Sequence, residues 1–289
     1  MLPISPQTSH VDSEKQLSRQ IPCDISRSPI MVKKLRDNVS RVKAASPLGT
    51  TVFVSLRAAD VFWQYAILQR GWASKLIEQL GGNSVGLDHV LDPSTSQLQP
   101  YYMLVILMSL GSSLKHIVTL LYISEQEMPA ASAFVIAVFN TLFNSLNTIL
   151  SLWSATSRVP TTGSWFDLLH SPAVAIGVGA YLIGILTELV SELQRRTFKK
   201  NPVNKGKPYG GGLFSLATNI NYGGYTLWRA GYASATGGFP WGITTFSFFF
   251  YDFASRGVPV LEQYLTERYG EAYKEIKTRV KYSLFPGIY

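Results

Sequence analysis

Polar residues suited to ligand binding interrupt an apolar region near the C-terminal end of the chain. Residues 204–231 read NKGKPYGGGLFSLATNINYGGYTLWRAG and join a basic loop to a strongly apolar block. Ordinary membrane spans do not begin in this way, because polar groups in hydrocarbon cost several kcal/mol unless they are paired. Cations and a glycine loop ahead of a helix N-terminus suit a diphosphate. The segment therefore predicts a site for a charged ligand.

A row of amides lies within an apolar run upstream. Asn140, Asn144 and Asn147 recur at helical spacing, and Ser151 continues the same stripe. Two interpretations stay open at this point. The amides form interhelical hydrogen bonds, each worth about 1 kcal/mol, or they line a polar substrate cavity.

Ionisable side chains also interrupt apolar segments. Lys115 and His116 fall within one predicted span, where such groups usually face a bundle interior or a pathway. We expect Lys115 to extend its ammonium to the membrane interface, and the role of His116 stays open. Arg57 and Asp60 are spaced so that they share a helix face and can pair.

Composition indicates an all-α, polytopic transmembrane helical bundle. Charged residues make up 15% of the 289 residues, and the mean hydropathy is +0.12. Several apolar runs are long enough to cross a hydrocarbon core of about 30 Å. The net charge of +8 resides largely in short loops beside these runs, as the positive-inside bias predicts, so we expect no nucleic-acid partner. One cysteine and four scattered histidines predict no metal site.

The apolar pattern predicts five to six spans and three regions. The clear spans are 101–124, 130–153 and 168–190, whereas 48–68 either crosses the membrane or is embedded in it. A turn signal at residues 237–240 divides the last apolar block, 212–254, into a helical hairpin, followed by an amphipathic cytosolic tail. The regions are a disordered polar tail (1–47), transmembrane helices (48–190) and a C-terminal region (191–289).

Charge predicts which ends of the helices face the cytosol. Residues 193–207 carry six lysines and arginines and no acid, and the chain after Ser255 carries six more with four glutamates. A hairpin between these segments places both on the cytosolic side. At the beginning of the first segment, Glu192 and Arg196 have the spacing of an intrahelical ion pair.

Residues 188–231 and the C-terminal tail carry a recurring set of residue types. They are Glu192, Gln194, Arg195, Phe198, Lys199, Asn201, Pro202, Gly212, Leu213, Phe214, Asn221, Tyr222, Gly224, Trp228 and Gly231, with the tail RYGEAYKEIKTRVKYSLFPGIY. This pattern resembles the C-terminal domain of steroid 5α-reductases and sterol reductases. Isoprenylcysteine and phospholipid methyltransferases share it more distantly.

The resemblance implies that the transmembrane helices of 48–190 surround a lipophilic substrate cavity. It also implies that 191–289 form a reductase-like cofactor-binding domain, with an NADPH site open to the cytosol. Carried over by position, the cofactor-binding residues are Gln194, Arg195, Lys199, Leu213, Phe214, Asn221, Tyr222, Glu262, Tyr269 and Tyr273. Arg195 and Lys199 would hold cofactor phosphates. The resemblance further implies an endoplasmic-reticulum membrane protein that draws a lipophilic substrate from the bilayer, contacts membrane lipids and needs no obligate protein partner.

The implied reaction is NADPH-dependent reduction of a C=C bond in a steroid-, terpenoid- or enoyl-like substrate. Tyr225 is the candidate catalytic donor to the substrate oxygen, and Tyr101 or Tyr102 is the alternative. Two departures bear on this reading. Tyr225 stands where the reductases carry glutamate, and residues 218–220 (Thr-Asn-Ile) stand where the methyltransferases carry Arg-His-Pro. The alternatives are an S-adenosylmethionine-dependent lipid or prenylcysteine methyltransferase on the same scaffold and a catalytically inactive lipid-binding membrane protein.

Overall fold

The computed structural model describes residues 40–92, 96–158 and 165–289. Within these ranges the regular structure is helical, apart from two isolated bridges that pair Ser84 with Trp153 and Leu91 with Leu98. The predicted all-α class is therefore confirmed. Most of the predicted disordered tail, residues 1–39, lies outside the described residues.

Nine α-helices lie within the described ranges, and the longest connections between them are 153–171 and 201–219. They are α1 (Pro47–Gln69), α2 (Trp72–Gln79), α3 (Leu87–Val90), α4 (Pro100–Val118), α5 (Ala130–Leu152), α6 (Pro172–Lys200), α7 (Ile220–Asp252), α8 (Val258–Tyr269) and α9 (Glu271–Arg279). A π-helical turn, Thr119–Ile123, extends α4.

Within the described ranges, three helices are long and apolar enough to cross a membrane. They are α4 with its π-helical extension (24 residues), α5 (23 residues) and α6 (29 residues). The chain is thus a multi-pass membrane protein. The observed α6 begins at Pro172 and continues to Lys200, past the predicted end of its span, so it carries part of the basic segment on its last turns. Membrane crossings by α1 and α7 stay predictions.

Helix α7 is a hairpin rather than one straight rod. Gly238 has φ 74° and ψ 179° and separates an arm at 220–237 from an arm at 239–252. The rings of Tyr222 and Phe253 stack with their centroids 4.5 Å apart, whereas a continuous helix would separate these residues by about 45 Å. The predicted hairpin and its turn are confirmed.

Helices α6 and α7 approach each other through glycines. A Cβ atom on Gly184 of α6 would lie 2.4 Å from the backbone nitrogen of Trp228, and one on Gly224 of α7 would lie 2.8 Å from the carbonyl oxygen of Gly184. One Cβ on Gly231 would lie 2.5 Å from the nitrogen of Tyr181. Small residues of this kind allow helix backbones to come into contact inside a membrane. This contact positions the polar side chains of the two helices.

The C-terminal tail folds back onto the beginning of α7. The backbone nitrogens of Thr218 and Asn219 donate to the carbonyl oxygens of Tyr282 (2.9 Å) and Ser283 (2.7 Å). Helix α9 buries one side, including Tyr273, in agreement with the predicted amphipathic tail. The tail thereby encloses the segment that leads into α7.

Candidate functional site

A carboxylate and an amide meet where α6 ends and α7 begins. Asn221 donates through Nδ2 to Oε1 of Glu192 at 2.8 Å. The other oxygen of Glu192 pairs with Arg195. The Oδ1 atom of Asn221 is buried and has no hydrogen-bond partner among the described residues. This corner therefore presents an unused acceptor beside a carboxylate and a guanidinium.

The glycine loop is fastened to the same end of α6. The backbone nitrogen of Leu213 donates to Oε1 of Gln194 at 2.9 Å. Gly212 has φ 53°, and a Cβ there would lie 2.3 Å from that oxygen, so only glycine fits the conformation and the space. The guanidinium of Arg195 lies 5.7 Å from the ring centroid of Phe214. The structure thus brings these four predicted binding residues together with Asn221.

Four other predicted binding residues lie at the end of α6 and in α8 and α9. Nζ of Lys199 donates to the hydroxyl of Tyr269 at 2.9 Å. Glu262 pairs with Lys277. Burial raises the pKa of Tyr273 to about 12, and its hydroxyl has no hydrogen-bond partner among the described residues.

Two further features border the corner. The ring of Tyr222 stacks on Phe253, which fixes its side chain against the second arm of α7. A groove of about 470 Å³ runs along the last turns of α6. Its lining residues are Val190, Leu193, Gln194, Thr197, Phe198 and Tyr209. Of these lining residues, Gln194 is also one of the predicted cofactor-binding residues.

A buried ion pair lies below the corner. Lys115 is 5% exposed and pairs with Glu188 of α6, whose second oxygen accepts from Trp228 Nε1 at 2.8 Å. The prediction that Lys115 reaches the interface is wrong, because a carboxylate on a neighbouring helix compensates its charge inside the bundle. The ring of His116 packs edge-on against Trp228, with centroids 5.8 Å apart.

The expected pairing on α1 is confirmed. Nη1 of Arg57 lies 3.2 Å from Oδ2 of Asp60, and both side chains are fully buried. Asn144 donates to Asp60 at 2.6 Å, and Gln64 donates to it at 2.8 Å. Arg57 also donates to Ser113 of α4 at 2.8 Å. Because its two charges pair with each other, this cluster joins α1, α4 and α5 as a structural element, although Nε and Nη1 of Arg57 have no hydrogen-bond partner among the described residues.

The amides of α5 each contact another element. Asn140 accepts from Arg229, Asn144 reaches Asp60 of α1, and Asn147 accepts from Trp241 Nε1 at 2.7 Å. These contacts agree with the interhelical interpretation of the stripe. A substrate-cavity role for Asn140, Asn144 and Asn147 stays a prediction.

Sequence reasoning missed Arg229. This residue is 2% exposed and lies in the first arm of α7. Its Nε and Nη2 atoms donate to the hydroxyl of Tyr225 at 3.1 and 3.0 Å, and its guanidinium lies 4.4 Å from the ring centroid of Trp228. The sequence feature that could have revealed Arg229 is its charge within an apolar block. It directly follows Trp228, a residue of the reductase-like pattern.

One predicted ion pair has a different partner. Glu192 pairs with Arg195, three positions along α6, rather than with Arg196. The guanidinium of Arg196 instead lies 3.9 Å from the ring centroid of Tyr122. Neighbouring arginines therefore point to different environments, one to the candidate site and one to the extension of α4.

Comparison with known proteins places the chain in a family. Residues 122–280 match the family model described as "Protein of unknown function (DUF1295)". The chain belongs to this family. It is also 38% identical over 244 residues, 81% of this chain and 84% of the relative, to the "Probable O-methyltransferase ustE" of Ustilaginoidea virens. No solved structure matches the chain.

The relative overturns the reductase prediction. Its name assigns methyl transfer to a protein that matches most of the chain, so the predicted NADPH-dependent oxidoreductase, its C=C reduction and its NADPH cofactor are wrong. The loss of the reductase glutamate at Tyr225 carried more weight than the loss of Arg-His-Pro. Thr218 and Asn219, at two of the latter positions, instead join the entry of α7 to the tail through backbone hydrogen bonds.

Proposed function

We propose that this protein is a membrane-embedded, S-adenosylmethionine-dependent O-methyltransferase with a lipophilic acceptor. The match to a probable O-methyltransferase across 81% of the chain carries the proposal. The resemblance of residues 188–231 to steroid 5α-reductases and, more distantly, to membrane methyltransferases supports a scaffold common to both kinds of enzyme.

The corner between α6 and α7 fits the amino-acid and ribose parts of S-adenosylmethionine. The orphaned Oδ1 of Asn221 is an acceptor for an ammonium or a hydroxyl group. The Glu192 carboxylate is 12% exposed and lies beside it. Arg195 supplies the cation that a carboxylate head group requires. We therefore assign these three residues to the cofactor site, with Gln194, Leu213 and Phe214 as its loop wall.

Aromatic rings lie one to two helical turns below this corner. The Tyr225 ring lies 5.1 Å from that of Trp228 and 5.6 Å from that of Phe253. When bound, S-adenosylmethionine supplies an electrophilic methyl group on a sulfonium. Aromatic faces stabilise such cations, so these rings favour the charged donor. The contact between α6 and α7 excludes water from one side of the site.

Several predictions from the sequence carry over to this proposal. We propose that the adenosine end is bordered by Lys199, Tyr222, Glu262, Tyr269 and Tyr273. Support for this comes from Lys199, which lies on the same helix as Glu192 and Arg195 and donates to the hydroxyl of Tyr269. We propose that the acceptor enters from the bilayer, that the site faces the cytosol, and that the membrane is that of the endoplasmic reticulum.

Methyl transfer is tested with methyl-labelled S-adenosylmethionine and the purified full chain in lipid nanodiscs. The acceptor source is an organic extract of membranes from the organism that encodes the chain. We expect label in a lipophilic product and a loss of at least about tenfold in Arg195→Gln, since a charge-assisted contact is worth about 1.5–3 kcal/mol.

The matched control is Arg196→Gln, which makes the same charge change one residue away. Because Arg196 packs on Tyr122, this variant keeps the rate of transfer. Absence of labelled product with the wild-type chain, together with NADPH consumption by the same sample, would overturn the proposal.

A further inference from the structure

The buried charges of the bundle do not balance. Arg57 pairs with Asp60, and Lys115 pairs with Glu188. Arg229 is buried to the same degree, yet within the described ranges no carboxylate pairs with it. Among the described residues, its hydrogen bonds go to the neutral oxygens of Asn140 and Tyr225.

The guanidinium of Arg229 also has an unused donor. Its Nη1 atom is buried and has no hydrogen-bond partner among the described residues. Nε and Nη1 of Arg57 share this feature, so what distinguishes Arg229 is that Arg57 has a carboxylate partner and Arg229 has none within the described ranges. An arginine cannot relieve its burial by losing a proton, and an unpaired charge inside a membrane protein is costly and marks a functional site by default. The missing partner of Arg229 is therefore an anion.

Tyr225 adds a second donor at the same place. Its hydroxyl oxygen accepts from both Nε and Nη2 of Arg229, so its own hydrogen is free to point elsewhere. Together the two side chains present an N–H and an O–H donor. A carboxylate, with an oxygen for each donor, matches this arrangement.

The surroundings of the guanidinium are aromatic. The ring centroids of Phe143, Tyr225, Trp228 and Phe249 lie 5.5, 5.2, 4.4 and 5.5 Å from its central carbon. Phe143 in turn contacts Phe248, with centroids 5.8 Å apart, and Phe248 is 51% exposed. One aromatic layer thus separates the charge from the outer surface of the bundle. A lipophilic molecule with one anionic group suits such a site.

The anion site lies in line with the proposed cofactor site. Asn221, Tyr225 and Arg229 recur every four residues in the first arm of α7, so they share a helix face. Tyr225 lies about 6 Å and Arg229 about 12 Å along the axis from Asn221. An acceptor held by the lower two residues would therefore present its anionic oxygen toward the methyl donor.

We propose that Arg229 and Tyr225 bind the carboxylate of a lipophilic acid, and that this carboxylate is the methyl acceptor of the reaction proposed above. An acceptor oxygen forms a bond to the methyl carbon while the carbon–sulfur bond breaks and leaves its electron pair on sulfur. Carboxylate and sulfonium both become neutral, and no proton is released. The product is a methyl ester, which no longer attracts the guanidinium and returns to the bilayer.

A carboxylic acid fits better than an alcohol or a phenol. A carboxyl group is ionised at neutral pH, whereas a phenol, with an unperturbed pKa of about 10, must lose a proton during the reaction. The buried carboxylates Asp60 and Glu188 are each engaged by a cation and by further donors, so neither is a free base. An acceptor that is already ionised needs no catalytic base.

The test compares three lipophilic acids with their primary amides, which have the same size and no charge. The pairs are hexadecanoic acid and hexadecanamide, 1-naphthoic acid and its amide, and farnesoic acid and its amide. Binding to the detergent-purified full chain is measured by thermal shift. We expect at least one acid to bind the wild-type chain about tenfold more tightly than its amide, with this preference lost in Arg229→Gln and retained in Arg229→Lys.

Arg57→Gln provides the matched control, since Arg57 is also a buried arginine but pairs with Asp60. This variant removes the charged partner of Asp60, so its melting temperature falls by more than that of ligand-free Arg229→Gln, which loses hydrogen bonds to the neutral oxygens of Asn140 and Tyr225. A large fall in melting temperature for Arg229→Gln would make Arg229 a structural residue and overturn the proposal. An acid preference that is absent for all three pairs, or that survives in Arg229→Gln, would also overturn it.

Failure of this inference is distinguishable from failure of the proposed function. S-adenosylmethionine binding is measured on the same samples. Donor binding without an acid preference overturns the anion site and leaves methyl transfer standing. An acid preference at Arg229 without donor binding keeps the anion site and overturns the methyltransferase proposal.

Discussion

The indole N–H of Trp228 donates to the Glu188 carboxylate at 2.8 Å, across the interface where the backbones of α6 and α7 are in contact. The same carboxylate pairs with Lys115 of α4. One buried carboxylate thus ties three helices together directly below the proposed cofactor corner. The arrangement depends on the glycines at the interface, because the side chains meet only where the backbones approach closely.

Removing one member of this ion pair should destabilise the fold. Glu188→Gln leaves Lys115 as an unpaired buried cation, which costs about 3–5 kcal/mol. Lys115→Met leaves the Glu188 carboxylate unpaired at a similar cost. Denaturant titration of the single and double variants measures the coupling, and the double variant should lose less stability than the sum of the singles. Additive losses would show that the two charges do not interact.

The glycine interface predicts a sharp contrast between two positions on α6. A Cβ on Gly184 would lie 2.4 Å from the backbone nitrogen of Trp228, whereas one on Gly179 meets nothing within 4 Å. Gly184→Val should therefore lower stability by about 1–3 kcal/mol or more through overpacking. Gly179→Val should be tolerated. Thermal denaturation in one detergent compares them, and equal losses would mean that the helices are not in contact at Gly184.

The turn of the α7 hairpin requires glycine. Gly238 has φ 74° and ψ 179°, a region that essentially only glycine adopts, at a cost of about 1–3 kcal/mol for other residues. A Cβ there would also lie 2.4 Å from Nη2 of Arg158. Gly238→Ala should lower the melting temperature. Gly237→Ala is the comparison, because Gly237 has no positive φ. A Cβ there would lie 2.9 Å from Trp241, so Gly237→Ala carries the cost of that contact without the backbone strain, and its loss should be the smaller of the two.

Alkaline pH should loosen the C-terminal tail. Burial raises the pKa of Tyr273 to about 12, above the ordinary value of about 10 for tyrosine. Its stabilising contribution is therefore complete below about pH 10 and is lost as the pH rises through about 12. Tyr273→Phe should flatten the fall in melting temperature over this window, since its hydroxyl has no hydrogen-bond partner among the described residues. An unchanged profile would show that Tyr273 does not titrate with the fold.

Local contacts were predictable from the sequence, and distant ones were not. The Arg57–Asp60 pair follows from spacing on one helix, and the α7 hairpin follows from its glycine and proline turn signal. The pairing of Lys115 with Glu188 joins residues 73 positions apart, and the contact of Arg229 with Asn140 joins residues 89 positions apart. Such contacts depend on the rotation of each helix about its axis, which periodicity alone does not determine.

The location of the candidate site was more predictable than its chemistry. Gln194, Leu213 and Asn221 were expected at one site, and the structure places them at the junction of α6 and α7. The prediction of NADPH was wrong because carboxylates, amides and cations suit both a dinucleotide and S-adenosylmethionine. The motif differs from the reductase pattern at Tyr225 and from the methyltransferase pattern at 218–220, so it could not distinguish the two cofactors. The match to a probable O-methyltransferase distinguished them.

The most direct measurement is isothermal titration of S-adenosylmethionine and of NADPH into the detergent-purified full chain and its Glu192→Gln variant. Glu192 lies beside the orphaned acceptor of Asn221, so its charge should matter for a cofactor with an ammonium group. The account predicts binding of S-adenosylmethionine, affinity reduced by about tenfold or more in the variant, and no heat from NADPH. Binding of NADPH alone, or S-adenosylmethionine binding that is insensitive to Glu192, would contradict it.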